Sequence, residues 1–248
     1  MAFDDLVAAT RSAVASRQRS APLRELRERT RSVPTARNVA SVLRAPGRVV
    51  SVIAEVKRAT ATFADLSGVG DVAVLARFYE AGGAACVSVV TEPVRSHGRL
   101  SDLDAVRGAV EVPVLANDVI VTPYQVHEAR AHGADMLVLD ARLEPLVLES
   151  LIERTHSLGM AAVVEAHSRS EALTAVAAGA RYVSVDARDP DTLAVDRSRF
   201  EQVAEVLPAS VTRMATGGVS GPYDVMSYAR AGADIVVVGE AVIRSADP

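Results

Sequence analysis

Short runs of β-branched and other apolar residues alternate along the chain with longer stretches in which apolar positions recur every three to four residues. The runs fall at Val49–Val56, Ala85–Val90, Val112–Leu115, Met136–Leu139, Ala162–Val164, Tyr182–Val185, Val211–Met214 and Ile235–Val238. Each reads as a strand buried on both faces. Between them, Asp71–Ala81, Pro123–His132, Leu146–Leu158, Ser170–Ala178 and Pro222–Ala231 read as amphipathic helices. Four of these stretches run into a Gly-Ala pair just before the next strand: Gly83-Ala84, Gly133-Ala134, Gly179-Ala180 and Gly232-Ala233. Glycine there supplies the left-handed residue that ends a helix, and the small residue after it permits tight passage into the sheet.

Eight strands alternating with helices predict parallel βαβ units, and eight is the number that closes a (β/α)8 barrel. An open doubly wound sheet is the alternative, but no G-x-G-x-x-G follows the first strand. Residues 1–46 read as a polar helical extension. Leu6, Val7 and Val14 lie on one face of its first helix, and four arginines lie in a second helical segment, Pro22–Arg31. The chain, 1–248, is read as a single α/β barrel domain. It stops at Asp247-Pro248, where a last outer helix is expected to begin, so apolar surface between the first and seventh barrel helices is expected to stay uncovered.

Composition narrows the function classes. Hydrophobic residues make up 49% and charged residues 23%, enough apolar material for a large core. A net charge of −4 without a basic block, no tryptophan and 4% aromatics argue against a nucleic-acid partner. No apolar run approaches the roughly 20 residues of a membrane helix, and Asp4 and Asp5 do not suit a signal peptide. The single cysteine, Cys86, lies in an apolar run and reads as a core thiol in a reducing compartment. The expectation is a cytoplasmic protein, a monomer or weak homo-oligomer, without a cofactor.

In a barrel of this kind chemistry gathers at the C-terminal ends of the strands. Those ends carry Glu55 and Lys57, Thr91-Glu92, Asn117-Asp118, Asp140, Glu165 and His167, Asp186 and Arg188, Thr216-Gly217-Gly218, and Gly239-Glu240. Lys57 stands out because it is the only lysine; the other 26 basic residues are arginine. An amine can donate a proton or form a Schiff base, which a guanidinium cannot. Strand alternation puts Glu55 on the same inward face. Gly217-Gly218 and Gly239-Glu240, each read as opening a short helical turn, offer backbone N–H groups to a phosphate, so a phosphorylated small molecule is the expected ligand. No histidine or cysteine cluster has metal-ligand spacing, and no metal site is expected. His127 and His132 read as solvated helix residues, which leaves His167 as the histidine of interest.

The residues resemble those of the indole-3-glycerol phosphate synthase family. The resemblance rests on Ile53-Ala54-Glu55-Val56-Lys57-Arg58-Ala59, Ser88-Val89-Val90-Thr91-Glu92 and Pro123-Tyr124-Gln125-Val126-His127-Glu128-Ala129-Arg130. It continues through Leu158-Gly159-Met160, Val164-Glu165-Ala166-His167, Gly232-Ala233-Asp234 and Val238-Gly239-Glu240. It implies extra N-terminal helices over the barrel mouth, Lys57 as general acid, Glu165 as proton-transfer group and Glu55 as orienting partner. It also implies substrate and phosphate contacts from Arg188, Gly218 and Gly239, with Thr60, Gly217 and Glu240 nearby.

The departures from the family pattern gather at the strand ends. Ala116-Asn117-Asp118-Val119 stands where the family has Arg-Lys-Asp-Phe, so a second catalytic acid becomes an amide at Asn117. Thr216-Gly217 replaces Glu-Ser, Asp186 replaces an asparagine, and Ser96 stands where an aromatic residue lines the ring pocket. Thr60-Ala61-Thr62-Phe63-Ala64 replaces Ser-Pro-Ser-Lys-Gly, and Asp140 stands where the family is apolar. Three functions follow. One is the family ring closure, impaired or repurposed. A second is Schiff-base chemistry of the aldolase type at Lys57, with Glu165, Asp186 or Asp140 shuttling protons. The third is a paralogue that binds ligand without turnover.

Overall fold

The computed structural model describes residues 3–43, 47, 49–59, 70–190 and 192–243. Thr60, the rest of the loop after the first strand, and the expected start of a last outer helix lie outside the described residues. Eight parallel strands close in sequence order into one barrel: β1 (Ser51–Val56), β2 (Cys86–Val90), β3 (Val114–Asn117), β4 (Met136–Asp140), β5 (Ala161–Ala166), β6 (Tyr182–Asp186), β7 (Thr212–Thr216) and β8 (Ile235–Val238). The open sheet is excluded by the pairing of β1 with β8, from Ser51 opposite Ile235 to Ala54 opposite Val238.

The described helices are α1 (Phe3–Ser20), α2 (Leu23–Ser32), α3 (Val39–Leu43), α4 (Val72–Ala81), α5 (Leu100–Ala109), α6 (Pro123–Ala131), α7 (Pro145–Ser157), α8 (Arg169–Ala177), α9 (Ser198–Ala204), α10 (Pro222–Arg230) and α11 (Glu240–Ile243). The four Gly-Ala glycines lie at φ between 89° and 95°, the left-handed turn expected before each strand. The third strand starts two residues later than the apolar run suggests. Pro113 has no N–H for the ladder, and the Val112 N–H is held by Glu80 Oε1 at 2.9 Å.

Strand alternation sorts the core. Outward side chains such as Val56, Val87, Leu137 and Val164 pack against the helices in one large cluster. Inward side chains Ile53, Cys86, Leu115, Met136, Val163, Met214 and Ile235 fill the barrel. Cys86 is fully buried there, as a core thiol should be. Val39 and Leu43 of α3 join this inner cluster, and Ser51 Oγ donates to Leu43 O at 2.9 Å, so α3 plugs the base of the barrel.

The N-terminal extension therefore spans the barrel wall. Phe3 and Leu6 of α1 line the mouth, Val14 and Leu26 pack with Tyr124 and Ala131 of α6, and α3 closes the base. This placement corrects the reading of two histidines. His127 is only 5% exposed, with Nδ1 unpartnered, because α1 and α2 cover the face of α6 that would otherwise meet solvent. That burial, with the charges of Arg27 and Arg154, holds its imidazole below the ordinary pKa. His132 caps α6 and meets Asp104 Oδ2 at 2.7 Å.

Candidate active site

Two adjoining cavities of about 300 and 190 Å³ open at the C-terminal ends of the strands and share Glu55, Lys57, Asn117, Glu165, Asp186 and Arg188. The fold brings every described residue of the expected site to this mouth. β3 to β7 continue one to two residues past the ends of their predicted apolar runs, so Asn117, Asp140, Glu165, Asp186 and Thr216 are held by sheet hydrogen bonding.

Lys57 lies across the mouth toward β8. Its Nζ is 3.0 Å from Glu55 Oε1, and both side chains are largely buried. Glu55 Oε2 accepts from Ser88 Oγ at 3.1 Å and from Asn117 Nδ2 at 3.0 Å. Burial alone would raise the Glu55 pKa. The Lys57 charge, with hydrogen bonds from Asn117, Lys57 and Ser88, outweighs it and holds the carboxyl below its ordinary value. Gly239 makes this geometry possible, since a Cβ there would sit 2.7 Å from Nζ and 2.9 Å from Cε of Lys57.

Glu165 faces a different environment. Burial and the neighbouring Asp186 carboxylate push its pKa up to about 8, against the opposing influence of His167. Burial also raises Asp186, whose Oδ1 accepts from the Arg188 N–H at 2.8 Å. Burial by itself would lower His167; a hydrogen bond with Glu171 and the charges of Glu165 and Asp186 raise it instead. One wall of the mouth thus holds an ionised carboxylate with its ammonium, and the other a carboxyl that keeps its proton near neutrality.

The glycine loops are partly as expected. Gly217 and Gly218 both lie at positive φ, 79° and 68°, but α10 begins only at Pro222, so they form a loop and do not open a helical turn. Gly239-Glu240 does lead directly into α11, a single short turn. Arg188 reaches the same rim, with Nη2 3.8 Å from Glu240 Oε1 and Nη1 3.3 Å from Leu193 O. Not all strand-end acids face the cavity as free groups. Glu92 accepts from the N–H groups of Val94, Arg95 and Ser96, which pins its loop. Asp140 holds Arg142 through Nε and Nη2, and Arg142 in turn stacks 4.1 Å above the Phe3 ring.

The sequence reading gave one feature only in outline and missed another. The resemblance implied N-terminal helices over the mouth, and Phe3 and Leu6 are the residues of α1 that line it, a detail no local pattern encodes. Among the described residues, ligand atoms of Glu165, His167 and Asp186 lie within 4.8 Å of one another, so a cation-sized group of donors exists where none was expected. Glu165 and His167 are two residues apart at the end of β5, but Asp186 ends the next strand, and only the adjacency of β5 and β6 brings it to them.

Known proteins agree with this architecture. Solved structures of an N-acetylmannosamine-6-phosphate 2-epimerase from Clostridium perfringens (TM-score 0.63, 18% identity, 77% of this chain and 87% of that one) and of a 3-hexulose-6-phosphate synthase (TM-score 0.63, 17%, 80% and 94%) share the barrel fold. Proteins named indole-3-glycerol phosphate synthase are much nearer in sequence. The one from Mycolicibacterium smegmatis is 52% identical over 99% of this chain and 90% of its own length, and that from Beutenbergia cavernae is 50% identical over 99% and 91%. The indole-3-glycerol phosphate synthase family profile matches residues 3–248, and the chain belongs to that family.

Proposed function

We propose that the chain catalyses the decarboxylating ring closure of a phosphorylated carboxyphenylamino-deoxyribulose, at a rate lowered by the amide at Asn117. The observation that carries this reading is the division of the mouth: the Lys57–Glu55 pair on one wall and Glu165, pushed up to about 8, on the other. Ring closure joins an aromatic carbon to a ketone carbon, and the ketone oxygen must gain a proton. Lys57, aimed into the cavity by Glu55, is placed to supply it. Loss of carbon dioxide and then of water follows, and water leaves only when its hydroxyl is protonated. Glu165 can hold a proton near pH 7 and serves that step or takes the proton released on aromatisation. The apolar part of the mouth, from Phe3, Leu6, Val119 and Leu143, suits an aromatic ring. Arg188 and the backbone at Gly217, Gly218 and Gly239 suit the phosphate, for which Arg188 gives up its long contact with Glu240.

Asn117 donates to Glu55 but cannot release a proton near neutrality. A missing general acid costs roughly 10²–10⁴-fold. Schiff-base chemistry at Lys57 needs a neutral amine and neutral or distant carboxylates. Nζ instead sits 3.0 Å from a carboxylate held ionised, the arrangement of an ion pair.

Indole fluorescence on mixing protein with the family substrate tests the proposal, with Lys57→Ala as control. Slow turnover lost in the control supports it. A folded, phosphate-binding protein with no turnover refutes it and favours a binding paralogue.

A further inference from the structure

We infer that Glu165, His167 and Asp186 form a binding site for a divalent cation of the Mn²⁺ or Zn²⁺ type at the ends of β5 and β6. One nitrogen and two carboxylate oxygens within 4.8 Å of one another leave a point within about 2.8 Å of all three. Closing to ligand distances near 2.0–2.2 Å needs only side-chain adjustment. Such a donor set suits divalent first-row metals, and three donors from one wall leave the other positions open to the cavity.

The histidine gives the independent reason. Its side chain is more than nine-tenths buried. Glu171 Oε2 accepts from the His167 backbone N–H at 2.7 Å and lies 3.3 Å from Nδ1, so Nδ1 carries the ring proton. Nε2 then faces the cluster, 3.7 Å from Glu165 Oε1, too long for a hydrogen bond, and in the neutral ring it offers its lone pair there. A carboxylate fixing the far nitrogen of a histidine whose near nitrogen faces other carboxylates is the arrangement that orients metal ligands.

The charge balance agrees. The neighbouring cations are committed elsewhere: Lys57 to Glu55, Arg142 to Asp140, and Arg188 to Leu193 O and Glu240. Among the described residues, no lysine or arginine side chain pairs with Glu165 or Asp186. A divalent cation at this point would replace the proton that Glu165 keeps near neutrality and hold the two part-buried carboxylates and the histidine nitrogen together.

Mn²⁺ titration followed by loss of the free-ion electron paramagnetic resonance signal tests the site on the full chain without substrate. Failure of the metal site and failure of the ring-closure reading are therefore seen separately, although Glu165 belongs to both. The expected result is one Mn²⁺ per chain, displaced by Zn²⁺, and a melting temperature raised by either ion. Glu171→Gln should weaken binding about 10–100-fold, and Asp186→Asn and His167→Gln should weaken it at least as much. Each variant's metal-free circular dichroism melt verifies that it folds. No stoichiometric binding, or binding unchanged in folded Asp186→Asn and His167→Gln, overturns the inference and leaves a proton as the cluster's only occupant.

Discussion

Replacing Asn117 with lysine is the most informative single perturbation. The amide is within hydrogen-bond reach of Glu55 Oε2 at 3.0 Å and borders both cavities, so a longer side chain has open volume to occupy. The substitution removes one amide hydrogen bond, worth about 0.5–1.5 kcal/mol. It introduces an ammonium facing Glu55, Glu165 and Asp186, three acids that the described structure leaves with Lys57 as their one lysine. The fold should tolerate it. If the amide limits ring closure through a missing acid, the variant should raise kcat by about 10²–10⁴-fold, equivalent to roughly 2.7–5.5 kcal/mol of barrier. Initial rates of indole fluorescence at saturating substrate read this directly, and Lys57→Ala in the same background should abolish the gain. An unchanged kcat in a variant that melts like the parent protein refutes the assignment of Asn117 as the limiting position.

Lys57→Met should destabilise the protein by about 3–5 kcal/mol in urea denaturation, because it leaves the Glu55 carboxylate buried without its cation; a loss under 1 kcal/mol would show that Glu55 simply protonates. Gly239→Ala should lower kcat, since its Cβ would stand 2.7 Å from Nζ and force Lys57 off Glu55, and a kcat equal to wild type would show that the lysine has another productive position. The Glu55 pKa is lower in the folded protein than its ordinary value of 4.5, so its contribution to stability is present above that value and is lost as pH falls through the folded pKa. Melting temperature should therefore fall less steeply below pH 4.5 in Glu55→Gln than in wild type, and parallel curves would contradict the sign.

Much of the barrel was legible because its signals are local. Apolar runs with Gly-Ala pairs ahead of them mark strands whatever surrounds them, and β8 matches its run residue for residue. Strand ends were less so. Reading stops at the last apolar residue, whereas the ladder carries on through Asp140, Glu165, Asp186 and Thr216, whose backbones bond as well as any valine's. The ring of candidate residues was visible because strand ends map to one rim. Which of them are spoken for was not: Glu92 pins a loop and Asp140 an arginine, contacts set by backbone direction. His127 shows the same limit from the other side, since its burial depends on helices a hundred residues earlier in the chain.

Two of the departures at the rim are physically one. A Cβ at Gly217 would overlap Asp186 Oδ1 and lie 3.2 Å from the Arg188 nitrogen, so the position Asp186 occupies exists only because residue 217 has no side chain. Gly217 also sits at φ 79°, where an L-residue is strained by about 1–2 kcal/mol. Serine at 217 should thus cost this strain plus the displacement of Asp186 from the Arg188 N–H. With the carboxylate removed, the strain and the close backbone approach to Arg188 remain, but the overlap with Asp186 is gone. A double-mutant cycle of Gly217→Ser and Asp186→Ala should then show a coupling of about 0.5–3 kcal/mol, with the serine tolerated better in the alanine background. Additivity within about 0.5 kcal/mol would mean that the two positions are energetically independent and would refute the steric link. Coupling of the expected sign would mean that the Asp186 carboxylate beside Glu165 and His167 depends on the missing side chain at 217.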